Sequence, residues 1–235
     1  MERFYKIAGL TVKMDTFGRT ERLAAPYLCQ AAPADIVICS DREAVQAKNP
    51  DLSESHCEYL ASGGSFYRQL MAFDGLLLHA AAVVVDGKAY LFTAPRKTGK
   101  STHVQLWLDT FGERALILNE DKPALRRIDG VWYAFGTPWS GKTGRNTNLQ
   151  VPIGGIAVLR RGEENAIEQL PGSMVLHELL EQTVRPADPV GSMRLLELMD
   201  SLLTQVRVWK LHCNMDRSAA LVAYEAMSGQ KYEFT

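Results

Sequence analysis

The sequence predicts an α/β fold, and three observations carry that expectation. Apolar runs of strand length alternate with stretches of helical spacing from residue 76 onward. Two of these runs turn back at Asp86-Gly87 and Asp129-Gly130, the dipeptide most favoured in tight hairpins. A third run leads straight into Gly99-Lys100-Ser101-Thr102 and a helical stretch, which is the strand–loop–helix order of a phosphate-cradling turn.

In chain order, residues 3–14 and 34–41 carry strand-forming side chains, and the polar stretch 42–73 reads as mostly helical or irregular. Together they suggest an N-terminal α/β subdomain over 1–75, ahead of a larger domain over 76–235. Residues 76–94 hold two apolar runs around Asp86-Gly87, and residues 101–112 are helical, with Gly112 as the stop. A buried strand over 114–121 ends in two carboxylates, and a hairpin follows over 124–136. Residues 137–148, rich in glycine and small polar residues, read as a flexible loop. A strand over 154–162 precedes a helical pattern over 173–203, broken around Pro186–Pro189. The chain then returns to strand over 206–213 and to helix over 218–227.

Composition narrows the function. At 46% hydrophobic, 23% charged and net charge −1, the 235 residues suit a soluble globular protein and argue against broad capture of nucleic acid or anionic lipid. No apolar run approaches the roughly 18–20 residues of a membrane span, and the first residues lack a signal-peptide core. The four cysteines form no CxxC pair, so a cytoplasmic location with reduced thiols is the expectation.

The loop 94–101 meets the pattern G-x-x-x-x-G-K-[ST], except that Ala94 replaces the first glycine. A site of this kind would use Ala94, Lys97, Thr98, Gly99, Lys100, Ser101 and Thr102 around the phosphates. Lys100 would reach the β- and γ-phosphates of ATP, and the Ser101 hydroxyl would ligate Mg²⁺. Pro95, Arg96 and Lys97 depart from the small residues expected there, and a left-handed backbone at Lys97 would be strained. The competing reading is a strand, a basic turn and a helix that bind nothing. The next strand then supplies Glu120 and Asp121. One carboxylate there can hold Mg²⁺ and another can accept a hydroxyl proton.

His79, "VVVDGKAYLFTAPRKTGKST", "LILNEDKPAL" and "YAFGTPWSGKTGRNTN", in that order, resemble the HPr serine kinase/phosphorylase catalytic domain and its relatives in the ATP-dependent PEP carboxykinase superfamily. The chain also resembles standalone kinase-like proteins encoded near ribosomal-peptide modification genes. The resemblance spans roughly residues 76–165 and implies a P-loop core with mixed β-sheets, beside the small N-terminal subdomain and C-terminal helices. It implies further that Lys100 binds phosphate, Ser101 and Asp121 hold the metal, Glu120 takes the acceptor's proton and His79 lies near the transfer site. The family often forms hexamers, which implies a homo-oligomer unless the N-terminal subdomain and C-terminal helices block or replace that assembly. Two departures stand out: Arg96-Lys97 in place of the family's Ser-Gly, and glutamate in place of aspartate at 120.

Lys142 and Arg145 are candidates to close over a transferring phosphoryl group. Trp107, Trp132, Trp139 and His103 read first as packing residues. The function expected is Mg-ATP-dependent transfer of a phosphoryl group to a hydroxyl on a protein, a precursor peptide or a small metabolite. The alternative is a non-catalytic nucleotide- or peptide-binding accessory with a degenerate loop. A carboxykinase-type reaction ranks below both, for want of a second cation cluster.

Overall fold

The structure is a computed structural model and describes residues 3–232. Residues 3–14 form a hairpin, not one strand: β1 (Arg3–Ile7) and β2 (Leu10–Met14) turn at Ala8 and Gly9, both with positive φ. After α1 (Gly18–Ala24), β3 (Ile36–Ile38) adds in parallel to β2 and completes a three-stranded sheet. Next come α2 (Arg42–Lys48) and α3 (Glu54–Leu70), the latter capped by the Ser53 hydroxyl on the His56 N–H.

The apolar run at 76–85 divides into two strands, β4 (Gly75–Leu77) and β5 (Ala80–Val85), which pair with different neighbours. Then follow β6 (Lys88–Thr93), α4 (Lys100–Phe111), β7 (Ala115–Asn119) and the hairpin β8 (Ala124–Ile128) and β9 (Val131–Phe135). The long strand β10 (Gln150–Arg161) is followed by β11 (Ala166–Leu170), α5 (Gly172–Glu181), α6 (Pro189–Gln205), β12 (Val208–Cys213) and α7 (Ser218–Ser228). The break in the helical pattern is local chemistry: Asp188 caps the Gly191 N–H and Pro189 opens α6.

These nine strands form one sheet in the order β4-β8-β9-β10-β6-β5-β7, with β12 also paired to β10 and β11 to β12. Strand β10 belongs to both halves. Its first residues pair antiparallel with β9, and its last pair in parallel with β6 and β12. In the second half β6, β10 and β12 run together, while β5 runs against both β6 and β7. The start of β5 therefore meets the ends of β6 and β7: Ala80 lies beside Thr93, and Ala82 beside Asn119.

The inner strands are buried on both faces, as sheets covered by helices require. Ala81, Val83, Val85, Tyr90 and Phe92 pack with Trp107 of α4 and Tyr224 of α7. Ala80, Ala82, Val84, Ala89 and Leu91 face the opposite core, shared with Leu179 of α5 and Leu198 of α6. A third core joins Tyr5, Ile7 and Val12 to Phe66 and Tyr67 of α3, and extends to Leu77, Ala124, Phe135 and Trp139.

Candidate functional site

The topology gathers the sequence's marked residues at one end of the sheet. The ends of β6 and β7, the start of β5 and the end of β10 put residues 96–99, Glu120, Asp121, His79 and Arg161 around a cleft of 1580 Å³. Open α/β sheets leave their ligand crevice at this end, where strands stop and helices begin.

The loop after β6 takes the strained form that its sequence threatened. Lys97 has φ 65 and Gly99, the residue before α4, has φ 118. Glycine accepts such angles freely, whereas lysine bears a cost of about 1 kcal/mol. The loop is tied from inside: Thr98 Oγ1 donates to the Pro95 carbonyl at 2.9 Å, and Lys100 Nζ to the Ala94 carbonyl at 2.7 Å. It is tied from outside too, where Arg161 donates to the Lys97 carbonyl. Burial lowers the Lys100 ammonium below its usual value; Asp121's charge works against the shift, and Arg96 and Lys122 add to it. Ser101 and Thr102 are exposed at the first turn of α4.

Asn119, the last residue of β7, organises the carboxylate pair. Its Oδ1 accepts the N–H groups of Asp121 (2.9 Å) and Lys122 (2.7 Å), and its Nδ2 donates to the Thr137 carbonyl at 3.0 Å. The turn splits the two acids. Asp121 faces the cleft with Oδ1 on His79 Nε2 at 2.9 Å and Oδ2 ion-paired to Lys122. Burial pushes the Asp121 carboxyl up, but the His79 hydrogen bond and the Lys122 charge outweigh it and hold it down at about 2. His79 is fixed by its backbone, which donates to the Gln182 carbonyl (2.7 Å) and accepts from Thr93 Oγ1 (3.0 Å). Glu120 is 5% exposed; its Oε1 pairs with Arg145, and its buried Oε2 has no partner.

The segment 137–148 is held where the sequence suggested a flexible loop. Gly141 donates its N–H to the Tyr59 hydroxyl at 3.0 Å, and its carbonyl accepts from Arg19. At φ 78 it lies so close to Asp121 that a Cβ there would come within 2.8 Å of the Asp121 Cβ. Asn146 accepts from the Tyr27 hydroxyl at 2.6 Å, and Thr147 bonds back to β7 at the Leu118 and Ile117 carbonyls. Side chains of the first 60 residues thus fix a wall of the cleft. No local signal announces this, because Arg19 and Tyr59 belong to no pattern. Lys142 is exposed and lines the cleft, whereas Arg145 is turned away onto Glu120 and Gln105.

His103 and the tryptophans are packing residues. His103 is 2% exposed; burial holds its imidazole near 3, hence neutral, and its Nε2 accepts the Trp107 Nε1–H at 3.0 Å. Trp107, Trp132 and Trp139 are all buried, Trp139 stacked on Phe66 with its Nε1–H on the Ser62 hydroxyl.

No protein-family model matches the chain, and comparison with curated proteins finds no match. Among solved structures, the Hpr(Ser) kinase/phosphatase from Coxiella burnetii aligns over 65% of this chain and 95% of its own, with 12% identity and a TM-score of 0.36. So loose a likeness leaves the chemistry to be argued from the geometry of the cleft.

Proposed function

We propose that the cleft is the active site of an Mg-ATP-dependent kinase that transfers a phosphoryl group to a hydroxyl. One observation carries this reading: a basic loop with two left-handed residues opens α4 at the same sheet end as a structured carboxylate pair. Backbone donors and a helix N-terminus suit phosphate, and neighbouring carboxylates suit a metal and a proton. The cleft is also larger than the roughly 300–1,000 Å³ of a single small-ligand pocket, which leaves room for a nucleotide and an acceptor.

In this reading Lys100 and the backbone N–H groups of residues 96–102 hold the triphosphate. The Ser101 hydroxyl and the ionised Asp121 carboxylate are hard oxygen donors of the kind Mg²⁺ takes alongside phosphate and water. Each Asp121 oxygen already accepts one contact, from His79 and from Lys122, so a remaining lone pair, or displacement of the Lys122 ammonium, would admit Mg²⁺. When bound, Mg²⁺ supplies charge neutralisation at the phosphate oxygens. The acceptor oxygen bonds to the γ-phosphorus as the bond to the β–γ bridging oxygen breaks, and ADP leaves with that electron pair. The hydroxyl proton goes to Glu120, whose unpartnered Oε2 is buried as it stands, so the side chain must turn toward the cleft to receive it. Lys142, exposed on the facing wall, offsets charge on the moving group. His79 keeps Asp121 oriented.

Titration calorimetry of Mg-ATP into the wild type and Lys100→Ala tests the site. Binding that is lost in the variant is expected; a wild type that ignores millimolar Mg-ATP sinks the reading. Glu120→Gln should bind Mg-ATP as before yet lose phosphoryl transfer by about 100-fold or more. The engagement of both Asp121 oxygens favours a second reading, a nucleotide- or peptide-binding accessory without turnover. It predicts Mg-ATP binding with no Glu120-dependent loss of ATP.

A further inference from the structure

We propose that Arg161 is a positioning residue for the phosphate loop, holding in place a turn that the loop's own sequence disfavours. The proposal rests on the nucleotide reading above and adds a residue from a distant strand to it. Lys97 sits at φ 65, where a glycine would be at ease. Among the described residues, the one side-chain hydrogen bond reaching residues 94–99 from outside the 94–103 segment is Arg161 Nη2 to the Lys97 carbonyl, at 2.5 Å. The strained residue and the outside tie coincide.

Arg161 is well placed for this. It ends β10 paired to Cys213, and the Gly162 N–H donates to the Cys213 carbonyl at 3.1 Å, so its backbone is anchored in the sheet. Strand alternation sends its neighbour Arg160 to the other side, where it pairs with Glu178 of α5. Relief of the left-handed backbone at Lys97 needs φ and ψ there to change together, which would swing its carbonyl away from Arg161. It would also exchange the donor and acceptor faces of the loop, so that an anion would meet a carbonyl oxygen in place of an N–H. A charged donor on the Lys97 carbonyl opposes that movement. Arg161 therefore does for this loop what a glycine at 97 would do without help.

The test is a double-mutant cycle on the full chain: wild type, Arg161→Ala, Lys97→Gly and the double variant, read by Mg-ATP calorimetry and by thermal melting. Arg161→Ala alone should weaken Mg-ATP about tenfold and lower the melting temperature. In the Lys97→Gly background the same change should weaken binding by less than about threefold and leave melting nearly unmoved. Equal losses in both backgrounds would show that Arg161 acts through its charge on the ligand, and no loss in either would show that it holds nothing; each overturns the proposal. A wild type that binds no Mg-ATP overturns the kinase reading instead. The melting cycle then still decides whether Arg161 holds the loop, since coupled shifts support it and additive shifts refute it.

Discussion

Glu58 has no place in the proposed chemistry, yet it is a buried side chain whose charge responds to pH. It is 1% exposed on α3, and neither carboxyl oxygen has a close hydrogen-bond partner. Burial raises its carboxyl from 4.5 to about 6, against weaker pulls from the Thr20 and Ser62 hydroxyls and the Arg42 charge. A raised carboxyl favours the fold while it is protonated. Its contribution is therefore complete below pH 4.5 and is lost as pH rises through about 6. Glu58→Gln removes that loss. Chemical denaturation should find it level with the wild type near pH 4 and more stable at pH 8 by about 1–2 kcal/mol; parallel pH curves for the two proteins would refute the assignment. Asp121 behaves oppositely. Held near 2, it keeps its charge wherever the protein is studied, and its contribution fades only as pH falls toward that value. Neither environment was legible beforehand. Glu58 stood in a stretch that read as merely polar, and the Asp121 value depends on His79, 42 residues earlier in the sequence.

Helix α3 reaches the cleft through one side chain. The Tyr59 hydroxyl accepts the Gly141 N–H, and Gly141 in turn lies against Asp121. Tyr59→Phe removes that acceptor but keeps the ring over which Arg19 lies. The expected result is faster amide exchange at residues 140–143 with little change in Mg-ATP affinity, because the phosphate loop is fixed by other ties. Phosphoryl transfer should fall severalfold, since Lys142 is next to Gly141. Unchanged exchange would mean that Arg19 and Asn146 hold the segment without it. Elements and site differ in how far the sequence discloses them. The loop 94–101 and the acids at 120–121 are local patterns and could be read directly. The bonds from Arg145 to Glu120 and from Tyr59 to Gly141 span 25 and 82 residues, and no local pattern encodes them.

At the scale of the whole molecule, the turns were legible and the pairings were not. Asp-Gly dipeptides fix a hairpin because two residues with positive φ are all it needs, as Asp86-Gly87 and Asp129-Gly130 show. Alternation along β10 tells which side chains share a face, but not that three other strands lie beside it. Strand β11 escaped notice because its residues are largely exposed and lack an apolar rhythm. The three cores each contain tryptophan: Trp132 in one, Trp107 and Trp209 in the second, Trp139 in the third. Since the strands run from core to core, heat should unfold all three together. Melts of variants retaining one tryptophan each should coincide with the loss of far-ultraviolet circular dichroism. A separate early transition at Trp139 would show that the N-terminal core melts alone.

Strand β10 has one more consequence. Near its middle, Gly154 and Gly155 lie against Tyr90 and Trp209, where an added Cβ would come within 2.9 Å and 2.4 Å of those rings. The strand behaves as a single beam clamped in two frames, with Arg161 and its grip on Lys97 at its C-terminal tip. A beam transmits torque. A bulky residue at 154 or 155, about 20 Å of strand from that tip, would tilt the far end and register first as a misshapen phosphate loop, before any helix gave way.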